Sequence, residues 1–274
     1  MARGSREYLV DARIYGQVAV KSFQRHLAYR AANLAGIATN TFFAAIYISI
    51  YTALFVGRGE VGGLDLRDTV TYAVITQSLL MVMSAFGNRE LSEAIIKGDI
   101  VADLSRPIDF YLFWAALDLG RAAYYLIFRG VPTFLSGWLL FRARLPEGVT
   151  TWLMFFVAIA VGVAISFAFR FIPNCLAFWT TDSRGINYLV TTLIMFAAGF
   201  IVPLNFFPPA LRAVVEWLPF RALAHLPVSV YLGKVDGAAL GRALAVELGW
   251  LVLLVLVGRG LLSRLVRRLS VHGG

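Results

Sequence analysis

The sequence predicts an all-α polytopic membrane protein: six transmembrane helices, an N-terminal interfacial helix and short helices dipping into the outer interface before the last span. Composition points there first. Hydrophobic residues are 59% of the 274-residue chain, mean hydropathy is +0.73 and charged residues are only 15%, where a soluble domain carries about 25%. So few charges cannot cover a water-soluble fold of this length. The second observation is the recurrence of apolar runs of roughly 20 residues, the length that crosses a ~30 Å hydrocarbon core at ~1.5 Å per residue. The third is the distribution of Lys and Arg between alternate loops.

Residues Tyr8 to Arg30 read as an amphipathic helix, with Arg13, Gln17, Lys21 and Gln24 on one face and Tyr15, Ala19, Phe23 and Leu27 opposite. That pattern suits a helix in the cytoplasmic headgroup layer, so residues 1–30 form the interfacial segment and 31–274 the transmembrane domain. The first span runs from Ala31 to Phe55 and is followed by a loop holding Gly57, Gly59, Gly62 and Gly63. The second runs from Thr69 to Gly87, ahead of a charged stretch from Asn88 to Asp109. The third covers Leu117 to Phe141, the fourth Thr151 to Phe169 and the fifth Ile186 to Leu204. A segment with Pro203, Pro208, Pro209, Pro219 and Pro227 cannot cross as one helix and is expected as short helices dipping into the outer interface. The last span runs from Ala238 to Leu262.

Six spans place both termini on one side. Fifteen Lys and Arg residues, from Arg3, Arg6, Arg13, Lys21, Arg25 and Arg30 through Arg89, Lys97, Arg106, Arg170 and Arg184 to Arg259, Arg264, Arg267 and Arg268, fall on that side. Seven fall on the other, Arg58, Arg67, Arg142, Arg144, Arg212, Arg221 and Lys234. The bias puts the termini in the cytoplasm. The same bias accounts for the net charge of +9 without nucleic acid. No signal peptide is read at the polar, basic N-terminus, so uncleaved insertion is expected.

One cysteine, Cys175, excludes an intramolecular disulfide, and the scattered His26, His225 and His272 do not make a metal cluster. There is no Gly-x-x-x-x-Gly-Lys-Ser/Thr loop to hold ATP phosphates, and no His-Glu-x-x-His, Gly-x-Ser-x-Gly or Cys-x-x-Cys. An enzyme is therefore not expected.

In the charged stretch, Asn88 is placed to cap a short helix carrying Glu90, Glu93 and Lys97 and ending at Gly98, with Leu91, Ala94 and Ile95 on its other face. Such a helix either docks a soluble partner through its carboxylates and apolar ridge or is a solvated loop helix with none. Within the spans, Asn33 and Asn40 share a helical face, where they line a conduit or hydrogen-bond a neighbouring helix, and Gln77 reads the same way. Asp118 and Arg121, three apart, read as a local ion pair at the interface. Counting depth along two opposed helices puts Arg129 and Glu247 at one level. They are expected to pair, the alternatives being that Arg129 bends to the interface beside Pro132 while Glu247 is protonated or faces a wet cavity.

Two segments carry a family resemblance: Gly98-Asp99-Ile100 followed by Leu104-Ser105-Arg106-Pro107-Ile108-Asp109, and Phe206-Phe207-Pro208 followed by Leu218-Pro219-Phe220, Pro227 and Tyr231-Leu232-Gly233. With the six spans, they resemble the ABC-2-type permeases of ATP-binding-cassette exporters over nearly the whole chain. The resemblance implies that the loop at 88–109 is the coupling helix that seats on the ATPase, and that 206–232 is the re-entrant hairpin. It makes Glu90, Leu91, Glu93, Ile95, Lys97, Asp99, Asp103 and Arg106 the ATPase-coupling residues. It implies a permease subunit of the cell inner (cytoplasmic) membrane, moving a hydrophobic or amphiphilic substrate out of the cytoplasm. Its partners are then ABC ATPase subunits and a second permease, identical or homologous, with ATP and Mg in the ATPase and no cofactor in this chain. The alternatives are an ion-coupled secondary transporter or channel without an ATPase, which would want interior acids in a continuous polar path, and a structural or assembly factor.

Overall fold

The computed structural model describes residues 12–178 and 184–272, all of whose regular elements are helices. The expectations for Arg3, Arg6 and Tyr8, and for the side chains of Arg184, Arg267 and Arg268, lie outside the described residues.

Helix α1 (Ala12–His26) passes through a 3-10 turn at Leu27–Tyr29 directly into α2 (Arg30–Leu54). Its polar face, with Arg13, Gln17, Lys21 and Gln24, is exposed as the sequence predicts. Its other face is clamped rather than laid on a surface. Ser22 Oγ donates to the Leu117 carbonyl at 2.6 Å, and a Cβ at Gly120 would overlap the Ala19 carbonyl, so helix α6 (Phe110–Tyr125) approaches α1 to backbone contact there.

Three helices are long and apolar enough to cross a membrane by length and composition: Ala31–Leu54, Val149–Cys175 (α8) and Gly237–Arg264 within α12 (Gly237–His272). They coincide with the first, fourth and sixth expected spans. The other three expected spans are helical but interrupted, each for a local reason.

The second begins with a reciprocal cap: Asp65 accepts from the Asp68 amide while Asp68 accepts from that of Asp65. Helix α3 (Leu66–Leu79) then stops eight residues before Gly87, and residues 80–86 run in tight turns with Ser84 at φ 48°. Its last carbonyls are not orphaned, since side chains described below reach them. The third expected span is a continuous helical path of α6, a π-helical turn at Leu126–Gly130, and α7 (Val131–Phe141). Pro132 has no amide hydrogen to give the Phe128 carbonyl four residues back. Asn33 of α2 donates Nδ2 to that carbonyl at 2.8 Å instead. The fifth, α9 (Arg184–Ala197), ends before Gly199 at φ 85°.

Between α3 and α6 lie α4 (Glu90–Lys97) and α5 (Ile100–Leu104). The proline-rich segment forms 3-10 turns at Leu204–Phe206 and Pro219–Leu223, with α10 (Pro209–Val215) and α11 (His225–Tyr231). The short helices were expected, but their depth was not: every residue of α11 is buried, and Tyr231 packs edge-on against Trp152 and Phe155 of α8 with ring centroids 5.5 and 5.0 Å apart. A Cβ at Gly162 would overlap the Ala222 carbonyl. The segment belongs to the main core with α3 and α8.

The charged groups gather at two ends. At one, Arg25 of α1 meets Glu90 of α4 at 2.7 Å, and Arg259 of α12 meets Asp109 at 3.1 Å. At the other, Arg144 bridges Asp65 and Asp68, and Lys234 Nζ lies 2.9 Å from Asp68.

Candidate functional site

The candidate site is the α4–α5 loop together with the buried ionic cluster beneath it. Asn88 Oδ1 accepts from the Glu90 amide at 3.0 Å, and α4 ends at Gly98 in the left-handed conformation, φ 81°, where a side chain would be strained. The C-terminal end matches the sequence signal; at the N-terminal end Arg89 holds the cap position without a side-chain bond, and Asn88 stands one residue further out.

Its orientation corrects one expectation. Leu91 and Ile95 do not form a ridge for a partner: they are buried in the chain's own cluster with Phe110, Tyr111, Trp114, Phe171 and Cys175. An eight-residue helix has one apolar stripe, and here the end of α8 and the start of α6 cover it. The exposed groups are Glu90, Glu93, Ile96, Lys97, Asp99, Val101 and Arg106. Two of the acids already have cations beside them, Arg25 at 2.7 Å from Glu90 and Arg89 at 3.6 Å from Glu93. Asp103 pairs with Arg106 at 3.3 Å, and burial pushes its carboxyl above the usual range.

Beneath the loop, Asn174 of α8 accepts from the Ser92 amide at 3.2 Å and donates to the Asn88 carbonyl at 3.0 Å. One turn earlier on α8, Arg170 holds Asp118 at 3.0 Å and donates to Ser166 Oγ at 3.1 Å. Asp118 also receives Arg121 Nε at 2.8 Å. Arg121 then donates to the Met81 and Val82 carbonyls at 2.6 and 3.0 Å, and Ser166 Oγ donates to the Met83 carbonyl. These carbonyls lie in the turns that follow α3, just past its end at Leu79, and cations suit the carbonyl end of a helix. Asp118, Arg121 and Arg170 are each only 5% exposed. The Asp118–Arg121 pair expected at the interface exists, but it is interior and has a third member.

Ser166 and Asn174 belong to no motif, and Arg170, placed by the charge distribution in a loop, lies inside α8. Their signal was spacing: 166, 170 and 174 recur every four residues in an otherwise apolar helix, one polar stripe facing a partner. Through it, the exposed loop, α8, α6 and the broken end of α3 are joined by uninterrupted hydrogen bonds.

The intramembrane polar residues fall into two groups. Asn40 donates Nδ2 to the Gln77 carbonyl at 2.9 Å and accepts from Arg129 at 3.1 Å, so Asn33 and Asn40 join helices. Gln77 is itself buried and contributes its backbone carbonyl. Glu247 does not pair with Arg129. It is fully buried and takes Arg221 Nε at 2.7 Å. The depth count had left Arg221 in an outer loop; the folding of the proline-rich segment into the core carries it down to the acid on α12.

Among the described residues no group of His, Cys, Asp and Glu is arranged to hold a metal ion. The arrangement holds helices together. Long apolar helices, with an amphipathic loop helix tied through buried ion pairs to a broken one, define an integral membrane protein. Residues 41–273 match the model of the family described as ABC-2 family transporter protein, and the chain belongs to that family. Its members are transport membrane subunits that associate with an ABC ATPase. Among curated proteins, the chain has no significant match.

Proposed function

We propose that the chain is the permease subunit of an ABC exporter, moving a hydrophobic or amphiphilic substrate out of the cytoplasm with ATP hydrolysed by a separate ATPase chain that carries ATP and Mg. The observation that carries the reading is the hydrogen-bonded path from the α4–α5 loop to the break in α3, in a chain of this family. ATPase closure would push on Glu93, Ile96, Lys97, Asp99 and Val101, and Asn174 and Arg170 would pass the displacement to α8 and to residues 80–86.

Six passes are supported by where the contacts fall. Arg30, Asn88, Asp109, Asn174 and Arg259 belong to or lie beside the end that holds α1 and α4, whereas Gly62, Asp65, Arg144, Asn205 and Lys234 gather at the other. In this reading the first end is cytoplasmic, both termini are inside the inner membrane, and 206–232 is a re-entrant hairpin from outside. Two permeases, identical or homologous, flank the path with two ATPases below.

Affinity purification of the chain in mild detergent tests the reading. An ABC ATPase and a permease should co-purify, and ATP should drive substrate efflux from cells. Recovery of the chain with no ATPase, across detergents that keep it folded, would overturn it.

A further inference from the structure

Every strongly buried arginine in the interior has a carboxylate: Arg121 and Arg170 share Asp118, and the largely buried Arg221 has Glu247. Arg129 does not. Among the described residues its one hydrogen bond is to Asn40 Oδ1 at 3.1 Å, and its Nε is buried without a partner. The guanidinium lies in a notch of α2: a Cβ at Gly36 would overlap it. Gly36 is six residues beyond Arg30, roughly 9 Å along the helix, and Asn40 roughly 15 Å, so the charge reaches deeper than Gly36 and away from the headgroups at that end. That direction is the opposite of snorkelling. Asn33, on the same face of α2 as Gly36 and Asn40, keeps a buried Oδ1 without a partner, an acceptor free for a hydroxyl. The mouth of the seam is apolar, with Leu34 68%, Ile127 51% and Phe128 40% exposed.

An isolated cation inside a membrane protein marks a site by default. We propose that Arg129 receives the anionic group of an amphiphile, a phosphate or carboxylate on a hydrocarbon tail, which enters the seam between α2 and the π-helical turn from the side. The planar guanidinium matches either oxyanion. Leu34, Ile127 and Phe128 meet the tail, and Asn33 Oδ1 accepts from a hydroxyl next to the anion. Asn40 and the notch at Gly36 orient the guanidinium, whose Nε and remaining NH face no other acid. The site rests on the membrane placement of α2 and names the chemistry of what the permease meets. It does not need the ATPase, so failure of ATPase pairing would sink the export reading and leave this one standing.

The test is equilibrium binding of dodecyl phosphate to the full chain in nanodiscs of phosphatidylcholine, alone or mixed with phosphatidylglycerol. The wild type should bind saturably, Arg129→Gln should weaken binding by about tenfold or more, and Arg129→Lys by less, as expected for loss of a charge-assisted hydrogen bond. Competition by phosphatidylglycerol assigns the site to an anionic bilayer lipid, and its absence to a discrete amphiphile; both keep the proposal. Inorganic phosphate should not compete. If Arg129→Gln does not assemble, Gly36→Ala, which keeps the charge and fills the notch, should weaken binding in its place. Binding equal to wild type in either variant, or displacement by inorganic phosphate at the affinity of dodecyl phosphate, overturns it.

Discussion

Asp118 is one carboxylate facing two guanidiniums, and neither cation has another acid within reach among the described residues. Asp118→Asn keeps the shape and removes the only negative charge. Breaking a buried pair from one side costs about 3–5 kcal/mol, since the other charge stays buried. The variant should therefore unfold at clearly lower temperature in detergent, while Glu93→Gln, at an exposed pair, should shift it little. An Asp118→Asn protein as heat-stable as wild type would mean that the carbonyls of 81–83 suffice. A second charge test concerns Glu247. Glu247→Arg should lose folded protein on size-exclusion chromatography, and Arg221→Glu in the same chain should restore much of it. Arg129→Glu should not restore it. Which cation meets Glu247 was not legible from depth counting, because the level of Arg221 depends on how far the proline-rich segment sinks, and that is fixed by tertiary packing of Ala222 against Gly162. Local pairs were legible: Asp118 and Arg121 are three apart on one helix, so their contact needs no knowledge of the fold.

Among the short elements, α4 is held from two sides, by Asn174 beneath and by Arg25 beside it, and its proposed coupling role can be tested by charge. Reversing Glu90 and Glu93 to Lys should abolish ATPase co-purification or uncouple ATP hydrolysis from efflux. Adding Arg25→Glu separates the two ways this can happen. If Glu90 serves α1, the charge-swapped pair should recover assembly; if it serves the ATPase, it should not. Normal efflux by the Glu90→Lys, Glu93→Lys chain would remove both carboxylates from the coupling set. A helix end with a chemical signal was legible at Gly98, whereas the Asp65–Asp68 cap opens α3 at Leu66, three residues ahead of the expected Thr69. The end of α3 at Leu79 was not legible, because residues 80–86 carry no breaker before Gly87; side chains on α6 and α8 take the carbonyls of the turns that follow it. The π-helical turn is an intermediate case. Pro132 announced a disturbance, and the compensating donor, Asn33, sits about a hundred residues away.

At the scale of the whole molecule, the fold class and the apolar passes followed from composition and run length alone, while orientation rests on charge. Arg13, Lys21, Arg25, Lys97 and Arg106 crowd one end, where only exposed or paired acids accompany them. At the other end Arg144 and Lys234 are paired with Asp65 and Asp68 in one cluster, but orientation follows the count of basic residues rather than net charge, so the pairing leaves the bias as it stands. Single cysteines at positions 97, 144 and 234, in a Cys175→Ala background, make this measurable with an impermeant thiol reagent. Cys175 is buried, so its replacement removes little labelling, and Ala is tolerated on volume grounds better than a larger residue. Positions 144 and 234 should label on intact cells and 97 only after permeabilisation. The control is built into the geometry: Lys97 is exposed and carries no ion pair among the described residues, so silence there on intact cells reports the membrane and not burial. Labelling of 97 but not 234 on intact cells inverts the protein and places the α4–α5 loop where no ATP-driven subunit can reach it. Labelling of 97 and 234 together on intact cells would mean that α12 and the loop end do not lie on opposite sides, and the six-pass arrangement would go with them.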